Sequence, residues 1–378
     1  MLRRRLIGAV VLGAILVAAA VAAYLIASRP VLRTEVVQVG LEFPWDIGFM
    51  PDGRMVVTER PGRIRVFASA EPGAELVQTI EIPDVRAEGE GGTMGLAVDA
   101  DALYVCTSVD ADGADGPEPW VNVVLRYRSD DGRELAFERV ILDAPMVAAI
   151  HHNGCGLEVD PGGFVWMTMG DGNSAHTGNL AQDPDSLNGK VIRMTSEGAV
   201  PDDNPVLPGA AGPSVAWSMG HRNPQGIALR SDGVILAPEH GTDRDDEINL
   251  IQPGVNYGYA CYTGDGVAVP GVEGCPAAST FTPPVWASGS PTLATSGAVF
   301  LQGEQWGDWD GDLVVSTLKE EDLRRFSVSV DGTRVDMVET LLDGAFGRLR
   351  AVAIGPDGWL YVSTSNGSDD VLIRVERG

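Results

Sequence analysis

The densest run of chemically capable side chains lies between Trp217 and Glu247, WSMGHRNPQGIALRSDGVILAPEHGTDRDDE. Gly220-His221-Arg222-Asn223-Pro224-Gln225-Gly226 precedes a strand pair expected from Ile227 to Ala237, and Glu239-His240-Gly241-Thr242 follows it. Arg222 presents a planar fork of donors, while Asn223 and Gln225 add amide donors and acceptors, so the matching ligand is planar and anionic. Pro224 and its flanking glycines would fix the backbone around them. Taken alone, the same residues also fit a surface turn with one exposed arginine. Other candidates stand near comparable turns: Ile150-His151-His152-Asn153-Gly154, then Lys319, then Arg348 and Arg350 in GRLRAV. Alternation along a strand would put Arg348 and Arg350 on one face. Each cation alone reads as a solvated surface charge, whereas all of them at one opening would build an anion site.

The elements that must position these residues show as a repeat. Six units join a polar turn to alternating bulky residues: PDGRMVVTE from Pro51, DADALYVCTS from Asp99, DPGGFVWMTMGD from Asp160, RSDGVILAPEHG from Arg230, WDGDLVVSTL from Trp309 and GPDGWLYVSTS from Gly355. Asp-Gly turns followed by period-two alternation are hairpin signals. Several units have a further strand before them, as at Trp45 to Phe49, Met94 to Val98, Gly156 to Val159 and Leu349 to Ile354. Uneven spacing argues against a regular solenoid and for blades with loop insertions. The expected fold is all-β, a six-bladed propeller of four-stranded antiparallel blades occupying residues 35–378 as one domain. A pair of β-sandwiches is the competing architecture, because hairpins alone do not reveal closure. In a propeller the chain ends commonly meet in one blade, so a strand near Thr34 to Val39 is expected to complete the last sheet.

The chain has 378 residues, of which 44% are apolar, with 47 glycines and 24 prolines. That is enough for a large packed core with many turns. Arg3, Arg4 and Arg5 precede an apolar run from Leu6 to Ala27, read as an export signal or, at this length, a membrane anchor over residues 1–29. Export places the rest of the chain on the extracytoplasmic side. Setting aside residues 1–29, which hold four arginines and no acid, leaves 23 basic against 53 acidic residues, a formal net of −30. Such a surface repels nucleic acid and anionic lipid. Lysine occurs only at positions 190 and 319. Export also permits disulfides. Cys261 and Cys275 bracket a Gly/Pro-rich loop and are the expected pair; Cys106 and Cys155 read either as a second pair or as buried thiols.

Several motifs together resemble the glucose/sorbosone dehydrogenases, soluble quinoprotein sugar dehydrogenases. They are GHRNPQG from Gly220, the EHG…DDEINLI…NYG run from Glu239 to Gly258, LNGKVIRM from Leu187 with the following DDNP, the HNG…DPGG…MGDG block from His152, and GRLRAVAIGPDG from Gly347. The likeness covers nearly all of the chain after the apolar run. It implies a six-bladed propeller, pyrroloquinoline quinone (PQQ) with calcium as cofactors, a sugar substrate, oxidation of an aldose C1 hydroxyl to the lactone, and an external electron acceptor.

Carried over by motif, His152 is the implied general base, and Arg222 the group that polarises the reacting carbonyl of the quinone. Asn223 and Gln225 stand beside it. Lys319, Arg348 and Arg350 match the cations that hold the cofactor's carboxylates, and Thr292 in PTLATS matches a further contact. Gly241 and Thr242 correspond to backbone-carbonyl ligands of the cofactor's calcium, oxygen being a proper donor for that hard cation. Glu247 and Tyr257 fall where some relatives hold a second, structural calcium; an ordinary ion pair and a core hydroxyl explain them equally well. Three positions depart from the pattern. Gly156 replaces a frequent Arg, Glu90 in GEGGTMG replaces a cofactor-contacting Gln, and Ser290 replaces an aromatic residue, with Trp286 out of register. Two other functions remain open: a catalytically inactive propeller that binds a glycan or protein partner, and a propeller hydrolase, for which no acidic metal-ligand set stands out.

Overall fold

The computed structural model describes residues 32–378 apart from 101, 111–119, 130–133, 265, 273, 274 and 276. The apolar N-terminal segment, with the anchor or signal expected over residues 1–29, lies outside the described residues. No described helix is long and apolar enough to cross a membrane.

Six four-stranded antiparallel sheets make a six-bladed propeller. Strand β1 is Leu32–Leu41. Blade one comprises β2 (Pro44–Phe49), β3 (Met55–Glu59), β4 (Arg63–Phe67) and β5 (Leu76–Glu81). Blade two comprises β6 (Thr93–Asp99), β7 (Ala102–Asp110), β8 (Trp120–Arg128) and β9 (Ala136–Val147). Blade three comprises β10 (Gly154–Val159), β11 (Val165–Met169), β12 (Lys190–Met194) and β13 (Ala216–Met219). In blade four, β14 (Ala228–Leu229), β15 (Ile235–Glu239) and β16 (Glu247–Leu250) are completed by β19 (Trp286–Ala287), after an excursion that carries a small hairpin, β17 (Tyr262–Thr263) and β18 (Val267–Ala268). Blade five comprises β20 (Thr295–Phe300), β21 (Leu313–Thr317), β22 (Leu323–Val328) and β23 (Val335–Leu341). Blade six comprises β24 (Leu349–Ile354), β25 (Leu360–Thr364) and β26 (Asp370–Arg377), and β1 closes it by pairing with β26, Thr34 opposite Val375. Closure by the first strand joins the two ends of the ring, and the sandwich alternative is excluded.

One turn builds most of the hairpins between first and second strands. In blade three, Asp160 N–H bonds Phe164 O at 3.0 Å, Gly163 N–H returns to Asp160 O at 2.9 Å, and the Asp160 carboxylate accepts Gly162 N–H at 2.8 Å. Blades four and six repeat the backbone pattern at Arg230–Val234 and Gly355–Trp359. The Asp side chain mimics a turn bond, and glycine takes the left-handed position (Gly163 φ 79°) that other residues resist.

The cores lie between neighbouring blades, as where Met94, Tyr104, Met146, Met167 and Ile192 pack together between blades two and three. Near the axis, first strands approach so closely that side chains have no room. A Cβ on Gly95 would lie 1.9 Å from Cys155 O, and one on Gly226 would lie 2.3 Å from Ser296 O. At Gly156 the fit is less severe, an added Cβ lying 3.0 Å from Gln225 O. Two disulfides add to the packing: Cys106–Cys155 joins β7 to β10, and Cys261–Cys275 closes the blade-four excursion.

Candidate active site

The loops that leave the axis at one end of the propeller gather most of the chemically capable residues around a cavity of about 230 Å³. It is lined by Glu90, His151, His152, Arg222, His240, Gly241, Thr242, Asp246, Thr292 and Ala294. These come from five different inter-strand connections, which explains why no single stretch of sequence contains the site.

His152 ends the connection from β9 to β10. Its backbone is left-handed (φ 66°), held by His152 O accepting Gly172 N–H at 3.1 Å and by Asn153 Oδ1 accepting Ala149 N–H at 3.0 Å. Gly170 must lack a side chain there, since a Cβ would lie 2.0 Å from His152 O. Asp171, fully buried at the end of blade three's second strand, sets the imidazole: its Oδ1 is 2.6 Å from His152 Nδ1. The same carboxylate is fixed by Asn173 N–H at 3.1 Å and Ser174 N–H at 2.8 Å. A proton on Nδ1 shared with Asp171 leaves Nε2 as the basic nitrogen. His151 is the exposed member of the pair, 60% exposed in its side chain and 3.8 Å from Glu90 Oε1.

Glu90 is the hub between blades. Its Oε2 accepts His152 N–H at 2.9 Å, Asn223 Nδ2 at 3.1 Å and Gln225 Nε2 at 3.4 Å. Burial opposes its ionisation, but the pull of His240, the His152 N–H bond and the field of Arg350 outweigh it and hold the carboxyl below its ordinary range. Burial in turn holds His240 below the usual imidazole range, and His240 Nε2 sits 2.5 Å from Thr295 O. Glu90 is the ionised member of the pair, because the His152 N–H bond and Arg350 act on it whatever the state of His240.

Arg222 is aimed by both its backbone and its side chain. Its N–H bonds Glu239 Oε1, its Nη1 donates to His240 O at 3.2 Å, and the guanidinium lies 5.9 Å from the Tyr259 ring centre. Its Nε is buried without a partner, a donor with no protein acceptor to satisfy it. Behind it, His221 Nδ1 meets Glu239 Oε2 at 2.9 Å and Nε2 meets Ser218 Oγ at 2.9 Å.

The remaining cations lie around the same opening. Arg350 is buried, donates to Gln225 Oε1 at 3.2 Å and Ser365 Oγ at 3.3 Å, and is pushed down to about 10 by burial, with Glu90 opposing and Arg348 and Arg60 adding to the shift. Arg348 is exposed just ahead of β24, so the two arginines share a neighbourhood and differ in exposure, whereas strand alternation had put them on one face. Lys319 donates to Thr292 Oγ1 at 3.1 Å. Arg60 joins the group through Gly89 O at 2.6 Å, although nothing in its ERPG turn singles it out.

Asp246 ties the blade-four loop to the loop before blade five. Gly241 N–H reaches Oδ1 at 2.8 Å, while Leu293 and Ala294 N–H reach Oδ2 at 2.6 and 2.5 Å. Gly241, Thr242 and Thr292 are thereby held on one wall. Glu247 and Tyr257 lie elsewhere. Glu247 accepts Thr263 Oγ1 at 3.3 Å and Gly264 N–H, and burial followed by repulsion from Glu239 pushes it up to about 8. Tyr257 hydroxyl donates to Leu250 O, accepts Gln252 N–H at 3.0 Å, and its ring packs 4.7 Å from that of His221. Among the described residues, no group of three or more His, Cys, Asp or Glu is arranged to hold a metal.

A six-bladed propeller that collects arginines, a lysine and an oriented imidazole around one axial mouth offers a site for an anionic ligand. Residues 41–374 match the Glucose / Sorbosone dehydrogenase family. The chain belongs to that family of PQQ-dependent sugar dehydrogenases. It is 32% identical over 356 residues to the aldose sugar dehydrogenase YliI of Escherichia coli, covering 92% of this chain and 93% of that protein. The apo-form structure of the soluble E. coli aldose sugar dehydrogenase superimposes with a TM-score of 0.80 at 30% identity, over 92% of this chain and all of that one. The PQQ-bound aldose sugar dehydrogenase of Streptomyces coelicolor gives 0.74 at 26% identity, over 92% of this chain and 99% of that one.

Proposed function

We propose that this protein oxidises the C1 hydroxyl of an aldose to the lactone, with PQQ and Ca²⁺ bound in the cationic mouth and His152 as general base. The observation that carries the reading is the 2.6 Å bond from His152 Nδ1 to buried Asp171, which dedicates Nε2 to taking a proton inside a cavity that Arg222 also lines.

The residues fit the cofactor. Its three carboxylates would be held by Lys319, Arg348 and Arg350, with Thr292 beside them, and Arg222 would face the reacting quinone oxygen. Asn223, Gln225 and Glu90 brace that arrangement, Glu90 by fixing the His152 backbone. When bound, PQQ supplies the acceptor for the hydride leaving C1. His152 Nε2 takes the hydroxyl proton at the same carbon, and Asp171 stabilises the imidazolium that results. Arg222 provides fixed positive charge where negative charge develops, in a site that needs no reorganisation at that moment. Gly241 and Thr242 would offer Ca²⁺ backbone oxygens, the donor type left when no carboxylate cluster is available. A second Ca²⁺ at Glu247 and Tyr257 belongs to the same proposal: burial beside Glu239 leaves Glu247 short of a positive neighbour, which a cation would supply. The electrons leave through an external acceptor on the extracytoplasmic side, with residues 6–27 as a candidate attachment to the membrane. An inactive binding module would have no need of an imidazole held in one tautomer by a buried carboxylate.

The test is reconstitution of the purified apoprotein with PQQ and Ca²⁺, followed by dye reduction with a panel of aldoses. Reduction that requires PQQ and sugar supports the proposal; none with any sugar would favour the binding module.

A further inference from the structure

The arginines on the blade-six side of the mouth are served by one short turn, Ser365-Asn366-Gly367, between β25 and β26. Asp370, 1% exposed, fixes that turn from beneath. Its Oδ1 accepts Thr364 Oγ1–H and Asn366 N–H, both at 2.6 Å, and its Oδ2 accepts Gly367 N–H at 3.0 Å. The turn then reaches three cations. Asn366 Oδ1 accepts Arg348 N–H at 3.0 Å, and Ser365 N–H donates to Arg348 O at 2.8 Å. Ser365 Oγ accepts Arg350 Nε–H at 3.3 Å. Gly367 O accepts Phe43 N–H at 3.0 Å, and the Arg60 guanidinium lies 4.4 Å from the centre of the Phe43 ring.

Arg348 needs such a hold. It is exposed, stands one residue ahead of β24, and pairs with no carboxylate among the described residues. Its neighbours are of like charge. Burial holds Arg60 below the usual guanidinium range, with Glu90 opposing and Arg348 adding to the shift, and Arg348 pushes Arg350 in the same direction. Repulsion of this kind drives the side chains apart unless the backbone beneath them is fixed. The Asn366 amide fixes it twice, since Nδ2 also donates to Phe346 O at 2.9 Å. Gly347, between the two bonded residues, leaves room for that amide: a Cβ on it would lie 2.4 Å from Asn366 Oδ1. The segment offers a donor at Arg348 and an acceptor at Phe346, and an amide side chain serves both, where a carboxylate could serve only the first.

We propose that Asn366 is a positioning residue for the cofactor, holding the Arg348 backbone so that its guanidinium stays at the mouth against the charges of Arg350 and Arg60. The inference rests on the reading that PQQ is the anion bound there. Asn366 itself need touch neither cofactor nor sugar; its effect passes through Arg348. Its contribution is preorganisation, because a segment already fixed has less freedom to lose when the ligand binds.

The test is a double-mutant cycle on PQQ affinity, measured by titrating the purified full-length apoprotein with PQQ in the presence of Ca²⁺ and following the absorbance of the cofactor. Asn366→Ala should weaken binding about fivefold, within the range for losing a neutral hydrogen bond. In the Arg348→Ala background the same change should weaken it by less than about twofold, because the group it positions is gone. A merely structural role for Asn366 would give the same factor in both backgrounds. Asn366→Asp keeps the acceptor for Arg348 N–H, so it is the variant to use if the alanine form does not fold. It loses the bond to Phe346 and adds a charge that competes for Arg348, and should weaken PQQ at least as much. Unchanged affinity in Asn366→Ala or Asn366→Asp, or equal factors in the two backgrounds, would overturn the inference and leave the proposed activity standing. A wild type that takes up no PQQ would overturn both.

Discussion

Replacing Asp171 by Asn probes the orientation of the base with almost no change in volume. Both oxygens of Asp171 face backbone donors that cannot turn away, Asn173 N–H at Oδ1 and Ser174 N–H at Oδ2. An Asn amide must therefore direct its NH₂ group at one of them. If it faces Ser174, a buried donor is left unsatisfied; if it faces His152, the imidazole must accept at Nδ1 and carry its proton on Nε2, where the base is needed. A hydrogen bond to a charged group contributes about 1.5–3 kcal/mol. At about 1.4 kcal/mol per tenfold in rate, losing it from the imidazolium-like transition state lowers kcat by about 10- to 150-fold. The assay is steady-state dye reduction with the PQQ-loaded variant, with PQQ affinity measured separately by titration. The expected pattern is a fall in kcat with unchanged PQQ affinity. A kcat within threefold of wild type, or a loss confined to KM, would refute the role assigned to Asp171.

Glu90→Gln keeps an acceptor for His152 N–H and removes a charge. The Glu90 carboxyl lies below its ordinary value of 4.5, so its stabilisation is present above that pH and is lost on acidification through the lowered value. Urea denaturation should show the variant differing from wild type by a constant amount above pH 5 and converging with it in stronger acid; PQQ should bind the variant more tightly. Lys319→Ala and Arg348→Ala should each weaken PQQ binding about tenfold with little effect on stability, since both side chains are exposed and a charge-assisted bond contributes about 1.5 kcal/mol or more. The Cys106–Cys155 bridge spans 49 residues, for which the chain-entropy model gives about 4 kcal/mol, so the Cys106→Ser, Cys155→Ser double variant should unfold at lower denaturant by roughly that amount.

The propeller was legible because its hairpins use one local device. Polar turns rich in Asp and Gly, such as Asp160 to Phe164, announce most of the blades, and alternation announces the strands around them. Blade four was less legible, because its fourth strand is only Trp286–Ala287 and follows a long excursion. The cationic set at the mouth was visible as residue types with a family precedent, and Arg222, Lys319 and Arg350 do gather there. The Met-Gly-Asp-Gly block marks Asp171 without giving its role, since its partner His152 stands on the other side of a strand turn. Arg60 carries no local signal, and Asp246, although it lies in the DDEINLI run, has none for its role: each acts through backbone groups of loops that adjacent blades bring together. Lys190 shows the limit of reading charge as surface, for its ammonium is fully buried against the carbonyls of Leu180, Ala181 and Asn188, and burial pushes it down to about 7. Spacing left Cys106 and Cys155 open between thiols and a bridge, and only the approach of β7 to β10 pairs them.

The most direct measurement is anaerobic mixing of aldose with PQQ-loaded wild type and His152→Gln, following the absorbance of the bound cofactor. The account predicts prompt reduction in the wild type, and in the variant full PQQ binding with reduction slowed at least a hundredfold. A variant that reduces its cofactor at the wild-type rate, or a wild type that fails to take up PQQ, would contradict it.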